Sequence, residues 1–388
     1  MAIIDADASA RSLATGEGVR VGVLDSGIDA THPDIAPNLD LAASCSFIRP
    51  GTPTALPAEI ATSCDNKAAL RDFYGHGTHV ASIIAAPVNG IGIAGVAPDA
   101  TLVALKACTA EGFCFADSVA AALRYAGDQR LDVVNMSLFA DPYLYYCQNE
   151  AGQRAILQEL TSAARYAQQR GVLLVASAGN EADDLQHPTI DEISPDYPPD
   201  TAETRRVRNN CRVAPAELPG VVTVSATGPV GYPGYTTVIA EYSSVGMGVV
   251  DVTAPGGDYF SATDTVQDAV LGALPNTPSV LWDGFDPLEP TFPGITVVDQ
   301  GARYGFLNGT SMSAPHAAGV AALIVERNPG WAQGAVAAAL ERTATPLACP
   351  VDWQPIDEDD DRQRCYGSAN HNSFFGAGLV NAARAAAG

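Results

Sequence analysis

Four separated stretches hold residue types that together could break a carbonyl bond. Asn308-Gly309-Thr310-Ser311 leads straight into an Ala- and Gly-rich run, so a serine stands where a long small-residue helix begins. The N–H groups at such a helix start are unpaired and favour negative charge, which suits a nucleophile whose attack creates an oxyanion. A serine hydroxyl is a weak nucleophile and needs a base. His76, set between Gly75 and Gly77, can take its proton near neutral pH and return it to a leaving amine. Asp25 closes the apolar run Arg20-Val21-Gly22-Val23-Leu24 and can fix the imidazole tautomer and stabilise the imidazolium. Asn180, after the apolar run 171–179, can offer a side-chain N–H beside the backbone N–H of Ser311. Each residue alone has a plainer reading, such as an N-cap serine or a turn aspartate. The set of four points to acyl transfer.

Two other features could bind metal. His76 and His79 stand three apart, but no further His or Cys follows at ligand spacing, which argues against a transition metal. The uncharged loop Pro87-Val88-Asn89-Gly90-Ile91-Gly92-Ile93 offers backbone carbonyls and one carboxamide, oxygens suited to a hard cation such as Ca²⁺; a tight surface loop reads the same way.

These residues need elements to hold them. Runs at 20–25, 101–106, 132–138, 171–180 and 221–225 read as strands. Segments at 116–127, 151–170 and 331–343, the runs after His76 and Ser311, and the Ala-rich C-terminus read as helices. Strands alternating with helices predict an α/β fold with a mostly parallel central sheet, whose strand C-termini carry sites. We expect one domain over 1–388 with inserts at about 41–73, 181–215 and 257–306. The inserts exceed ordinary loop length and should carry local structure or cover a surface. Trp282 falls in the third, and the acidic run 357–361 reads as a solvated loop between Cys349 and Cys365.

The 388 residues carry a formal net charge of −23, which disfavours nucleic acid and anionic membrane. No apolar stretch is long enough to span a bilayer. Eight cysteines without zinc spacing favour disulfides and an oxidising compartment. The nearest-neighbour pairing is Cys45–Cys64, Cys108–Cys114 and Cys349–Cys365, leaving Cys147–Cys211, one of 105 possible connectivities. The segment starting at Met1 lacks a signal-peptide pattern.

Asp-Ser-Gly-Ile-Asp at 25–29, Gly-His-Gly-Thr-His-Val-Ala at 75–81, Ser-Ala-Gly-Asn at 177–180 and Gly-Thr-Ser-Met-Ser-Ala-Pro-His at 309–316 resemble the four signatures of the subtilisin-like serine proteases, or subtilases. The resemblance runs from about residue 17 to 384, inserts excepted. The order Asp, His, Ser is the family's own, so it adds nothing independent. The resemblance implies a three-layer subtilisin-like fold, with helices on both faces of the sheet. It also implies an endopeptidase with Asp25 as orienter, His76 as base, Ser311 as nucleophile and Asn180 in the oxyanion hole. An extended peptide would add between Ser137-Leu138-Phe139 and the Lys106-Ala107 region, with Ala176, Ser177, Ala178 and Gly179 as a pocket wall. Phe139 departs from the family, which usually has Gly there, and should narrow or re-aim the primary pocket.

By the same resemblance, the carbonyls of Pro87, Ile91 and Ile93, the Asn89 side chain and the Asp34 carboxylate would bind a structural Ca²⁺, with Asp5 a further candidate. The family also implies a pro-region that assists folding and inhibits until removed. This chain then reads as a secreted, monomeric mature form acting on proteins or peptides. Three other readings remain: a transpeptidase or macrocyclase on the same fold, an inactive binding module, and a metal hydrolase using His76 and His79.

Overall fold

Short apolar runs become parallel strands buried on both faces. The computed structural model describes residues 1–230, 236–258, 266–277, 279, 296–351 and 363–388. In chain order the strands are β1 (Arg20–Asp25), β2 (Cys45–Ser46), β3 (Thr101–Lys106), β4 (Val133–Met136), β5 (Leu173–Ser177), β6 (Val221–Val230), β7 (Thr236–Ile239) and β8 (Val252–Pro255). They form one eight-stranded sheet in the order β7-β6-β5-β4-β1-β3-β2, with β8 also paired to β6. Only the β6–β7 pairing is antiparallel. Trp282 and the acidic run 357–361 lie outside the described residues.

Side-chain alternation splits the core into two layers. Val21 and Val23 of β1, Leu102 and Ala104 of β3, and Leu173 and Val175 of β5 pack with helices α1 (His76–Ala85) and α4 (Thr310–Arg327). Leu24, Val103, Leu105 and Leu174 face the other way, onto α2 (Ala116–Asp128) and α3 (Ala151–Gln168). This is the expected three-layer α/β arrangement. Helices α5 (Gln333–Thr343) and α6 (Ala382–Ala387) pack on the α4 side. Small residues let α4 lie deep: a Cβ on Gly319 would come within 2.6 Å of the Val96 Cβ.

Within the third insert and just after it, β9 (Val270–Leu274), β10 (Thr296–Asp299) and β11 (Ala302–Leu307) make an antiparallel sheet with β11 central. Strand β11 runs directly into Asn308 and α4, so this small sheet leads the chain into the serine. All four disulfides form as paired above: Cys45–Cys64, Cys108–Cys114, Cys147–Cys211 and Cys349–Cys365.

The first insert supplies Glu59, fully buried, whose carboxylate lies 2.8 Å from the equally buried Lys106 Nζ. Removing one member of such a pair strands the other charge, at about 3–5 kcal/mol. Glu59→Ala should therefore lower chemical-denaturation stability by that amount; a loss under about 1 kcal/mol would mean that Lys106 finds another counter-charge.

Candidate active site

The C-terminal ends of the parallel strands and the starts of two helices meet at one cleft. Asp25 is the last residue of β1, and His76 opens α1. Glycine at 77 makes that meeting possible, because a Cβ there would lie 2.3 Å from the Gly27 carbonyl oxygen. The His76 Nδ1 sits 2.9 and 3.0 Å from the two Asp25 carboxylate oxygens. Burial opposes the charged imidazole, but the charge and hydrogen bond of Asp25, with Asp72 behind, outweigh it and raise the His76 pKa. Asp72 in turn accepts from Ser26 Oγ, Thr78 Oγ1 and the Gly75 N–H, fixing the turn around the histidine.

Ser311, half-buried, is the second residue of α4. Its carbonyl accepts from Ser137 Oγ at 2.8 Å, and Ser137 Oγ accepts from Asn135 Nδ2 at 2.9 Å, so β4 pins the helix start. Asn180, exposed just beyond β5, uses its Oδ1 to accept from the Thr310 N–H at 2.9 Å and Thr310 Oγ1 at 2.8 Å. With the oxygen so engaged, the Nδ2 donor is left for another acceptor. A cavity of about 470 Å³ is lined by Asp25, His76, Asn180 and Ser311 together.

Of the substrate residues expected from the sequence, Ser137, Leu138, Phe139, Ser177 and Gly179 line this cavity. Lys106, Ala107, Ala176 and Ala178 do not line it. The Lys106 side chain is buried against Glu59, and the Ala107 N–H bonds to the Asp25 carbonyl. Ala176 and Ala178 belong to the core layer under α2 and α3. The opposing wall comes instead from the loop closed by Cys108–Cys114, through Glu111, Gly112 and Phe113. The short cysteine spacing was the available signal for that loop. Asp141 and Asp196 also line the cleft and had no sequence signal. Their carboxyl groups meet, and burial followed by the neighbouring Asp196 raises the Asp141 pKa. Glu181 is pushed up to about 7, chiefly by burial and then by Asp183.

His79 leaves the chemistry. Its Nε2 pairs with the Gly305 carbonyl at 3.0 Å, and burial lowers its pKa to about 4. His316 is likewise structural, with Nδ1 2.8 Å from the Met312 carbonyl.

The subtilase family model matches residues 16–378. Subtilisin BL of Lederbergia lenta is 31% identical over 368 residues, covering 95% of this chain and 90% of that protein. The chain belongs to the subtilase family. It is a serine-type endopeptidase, and its substrates are proteins. Among solved structures, a lanthipeptide protease matches the fold of this subtilase with a TM-score of 0.69 at 23% identity, over 100% of this chain and 92% of that one. Fervidolysin from Fervidobacterium pennivorans matches with a TM-score of 0.62 at 26% identity, over 99% of this chain and 45% of that one.

The chemistry of the loop at 87–93 fits a hard cation. Asp34 is fully buried, and no Lys or Arg pairs with it among the described residues. Its Oδ1 accepts from Asn89 Nδ2 at 2.8 Å, and its Oδ2 from Tyr304 Oη at 2.8 Å and the Ile93 N–H at 3.2 Å. Among the described residues, no donor reaches the carbonyl oxygens of Pro87, Ile91 or Ile93. The Asn89 carboxamide is engaged at both ends, its Oδ1 accepting the Ile91 N–H at 3.1 Å, so its oxygen would have to leave that bond to join an ion. Asp5 is engaged by Asn381, whose Nδ2 donates to Oδ2 at 2.7 Å. No cluster of three His, Cys, Asp or Glu that could hold a metal occurs among the described residues, so such a site would rest on carbonyls.

Proposed function

We propose that Ser311 is the nucleophile, His76 the general base and then acid, Asp25 its orienter, and Asn180 the side-chain donor of the oxyanion hole. The pairing of His76 with both Asp25 oxygens, in the cavity that Ser311 and Asn180 line, supports this reading most directly. His76 accepts the Ser311 proton as Oγ attacks the carbonyl carbon. The oxyanion then takes hydrogen bonds from Asn180 Nδ2 and the Ser311 N–H, the Thr310 and Met312 N–H groups being held by Asn180 Oδ1 and the Gly309 carbonyl. His76 returns the proton to the leaving amine, and water repeats the sequence on the acyl-enzyme. Ser137-Leu138-Phe139 would hold the peptide by main-chain hydrogen bonds.

Digestion of a mixed peptide library with wild type and Ser311→Ala tests this. Products should gain the mass of water, and the variant should produce none. Products formed without that gain would favour a transpeptidase or macrocyclase instead.

Phe139 should shape the primary pocket. Phe139→Gly should change the preferred residue before the scissile bond; an unchanged profile would remove Phe139 from specificity.

We further propose a structural Ca²⁺ held by Asp34, Asn89 and the carbonyls of Pro87, Ile91 and Ile93. A ligand that binds only the folded state stabilises it by RT ln(1 + [L]/Kd). EDTA should therefore lower Tm, and Ca²⁺ should restore it; a Tm insensitive to both would leave the site without an ion.

The four disulfides support secretion into an oxidising space. No helix among the described residues is long and apolar enough to cross a membrane. Family resemblance supports an inhibitory pro-region removed on maturation, and we propose a monomer built as one domain over 1–388.

A further inference from the structure

The cleft is charged with one sign. Asp25, Glu111, Asp141, Glu181 and Asp196 line it, and no Lys or Arg does so among the described residues. Asp25 is committed to His76, and Glu181 Oε2 accepts the Asn180 N–H. Asp141 and Asp196 are different. Asp141 is only 4% exposed and receives the Cys114 N–H on Oδ2. Asp196 Oδ1 is buried, and among the described residues no N–H or hydroxyl reaches it; its contact is the Asp141 carboxyl. Two carboxyl groups in contact cannot both ionise cheaply, so they must share a proton unless a cation comes between them, and among the described residues no Lys or Arg lining the cleft supplies one.

The surroundings suit a long cationic side chain. Phe113 and Phe139 line the same cavity and can cover an aliphatic stem or stack on a guanidinium. Disulfide Cys108–Cys114 ties down the loop that carries Phe113 and the N–H held by Asp141. Asp141 lies two residues past Phe139, on the segment that leads away from Ser311 after Ser137. Asp196 comes from the second insert, which shares nothing with the four signatures.

We infer that Asp141 and Asp196 dock a Lys or Arg side chain of the substrate, on the N-terminal side of the scissile bond. This rests on the proposed reading that Ser137-Leu138-Phe139 holds the substrate strand. The arriving cation supplies donors to Asp196 Oδ1 and charge to a pair that sits without a basic neighbour in the cleft. Arg fits better than Lys, because its planar fork can engage two carboxyl groups at once.

Library digestion by the wild-type protein reads this without any variant. Lys and Arg should be enriched at one position before the cut. In a matched pair of peptides carrying Arg or norleucine there, Asp196→Asn should lower kcat/KM about 30-fold or more for the Arg peptide, and less than about threefold for the norleucine peptide. Asp141→Asn should act in the same direction; because Asp141 also anchors Cys114, its Tm must be measured alongside. Efficient cleavage with no basic enrichment, or equal losses on both peptides in Asp196→Asn, overturns the inference and leaves the protease reading standing. A folded protein that cleaves no peptide and fails to react with a fluorophosphonate overturns the reading beneath it.

Discussion

Ser311→Ala should lower kcat for peptide cleavage by about 10⁶, the size known from the subtilisin triad itself, with KM changed only a few-fold. The hydroxyl is the proposed atom of attack, and three other hydroxyls lining the cleft are engaged elsewhere: Ser26 Oγ donates to Asp72, Ser137 Oγ to the Ser311 carbonyl and Thr310 Oγ1 to Asn180. Cys108 and Cys114 line the cleft but are locked in a disulfide. Binding survives, because the walls contributed by Leu138, Phe139 and Gly179 are untouched. His76→Ala should cost nearly as much, and the double variant little more than either alone, because base and nucleophile act as one unit. A loss below about 100-fold in Ser311→Ala would show that hydrolysis runs through another group. Steady-state kinetics on one fluorogenic peptide separates these outcomes.

Asn180→Ala should lower kcat by about 10²–10³, or about 2.7–4 kcal/mol, again the magnitude known from the equivalent donor in a subtilisin, with little effect on KM. Donors aimed at the oxyanion act only once the carbonyl carbon becomes tetrahedral, so ground-state affinity should hold. The geometry explains why the donor is ready beforehand. Both Thr310 contacts fall on Asn180 Oδ1, which orients the carboxamide and leaves Nδ2 available. A change mainly in KM, with kcat retained, would place Asn180 in substrate binding.

Much of the fold was legible because its signals are local. The strand ending at Asp25 and the helices at His76 and Ser311 each follow from an apolar run bounded by Gly, and the structure ends the strand at Asp25, opens one helix at His76 and puts Ser311 second in the other. Disulfide pairing followed from short spacing in three bridges and elimination in the fourth. The cleft walls were less legible. The family resemblance puts the Lys106-Ala107 region beside substrate, yet the Lys106 side chain is buried. Its buried partner Glu59 lies 47 positions earlier, in a loop with no periodicity to read. The contact between Asp141 and Asp196 joins a strand exit to a long insert across 55 positions, and no local pattern encodes such a meeting. The proposed specificity contacts are therefore set by tertiary contacts of the inserts, while the proposed reacting groups sit on or beside the regular elements.

The central claim is that four distant stretches converge on one activated hydroxyl. Fluorophosphonate labelling followed by peptide mass mapping tests it most directly, comparing wild type with folded His76→Ala. The account predicts a single adduct on Ser311 that forms readily in wild type and is nearly lost without the imidazole. Adducts on another residue, or equal labelling of Ser311 in both proteins, would contradict it.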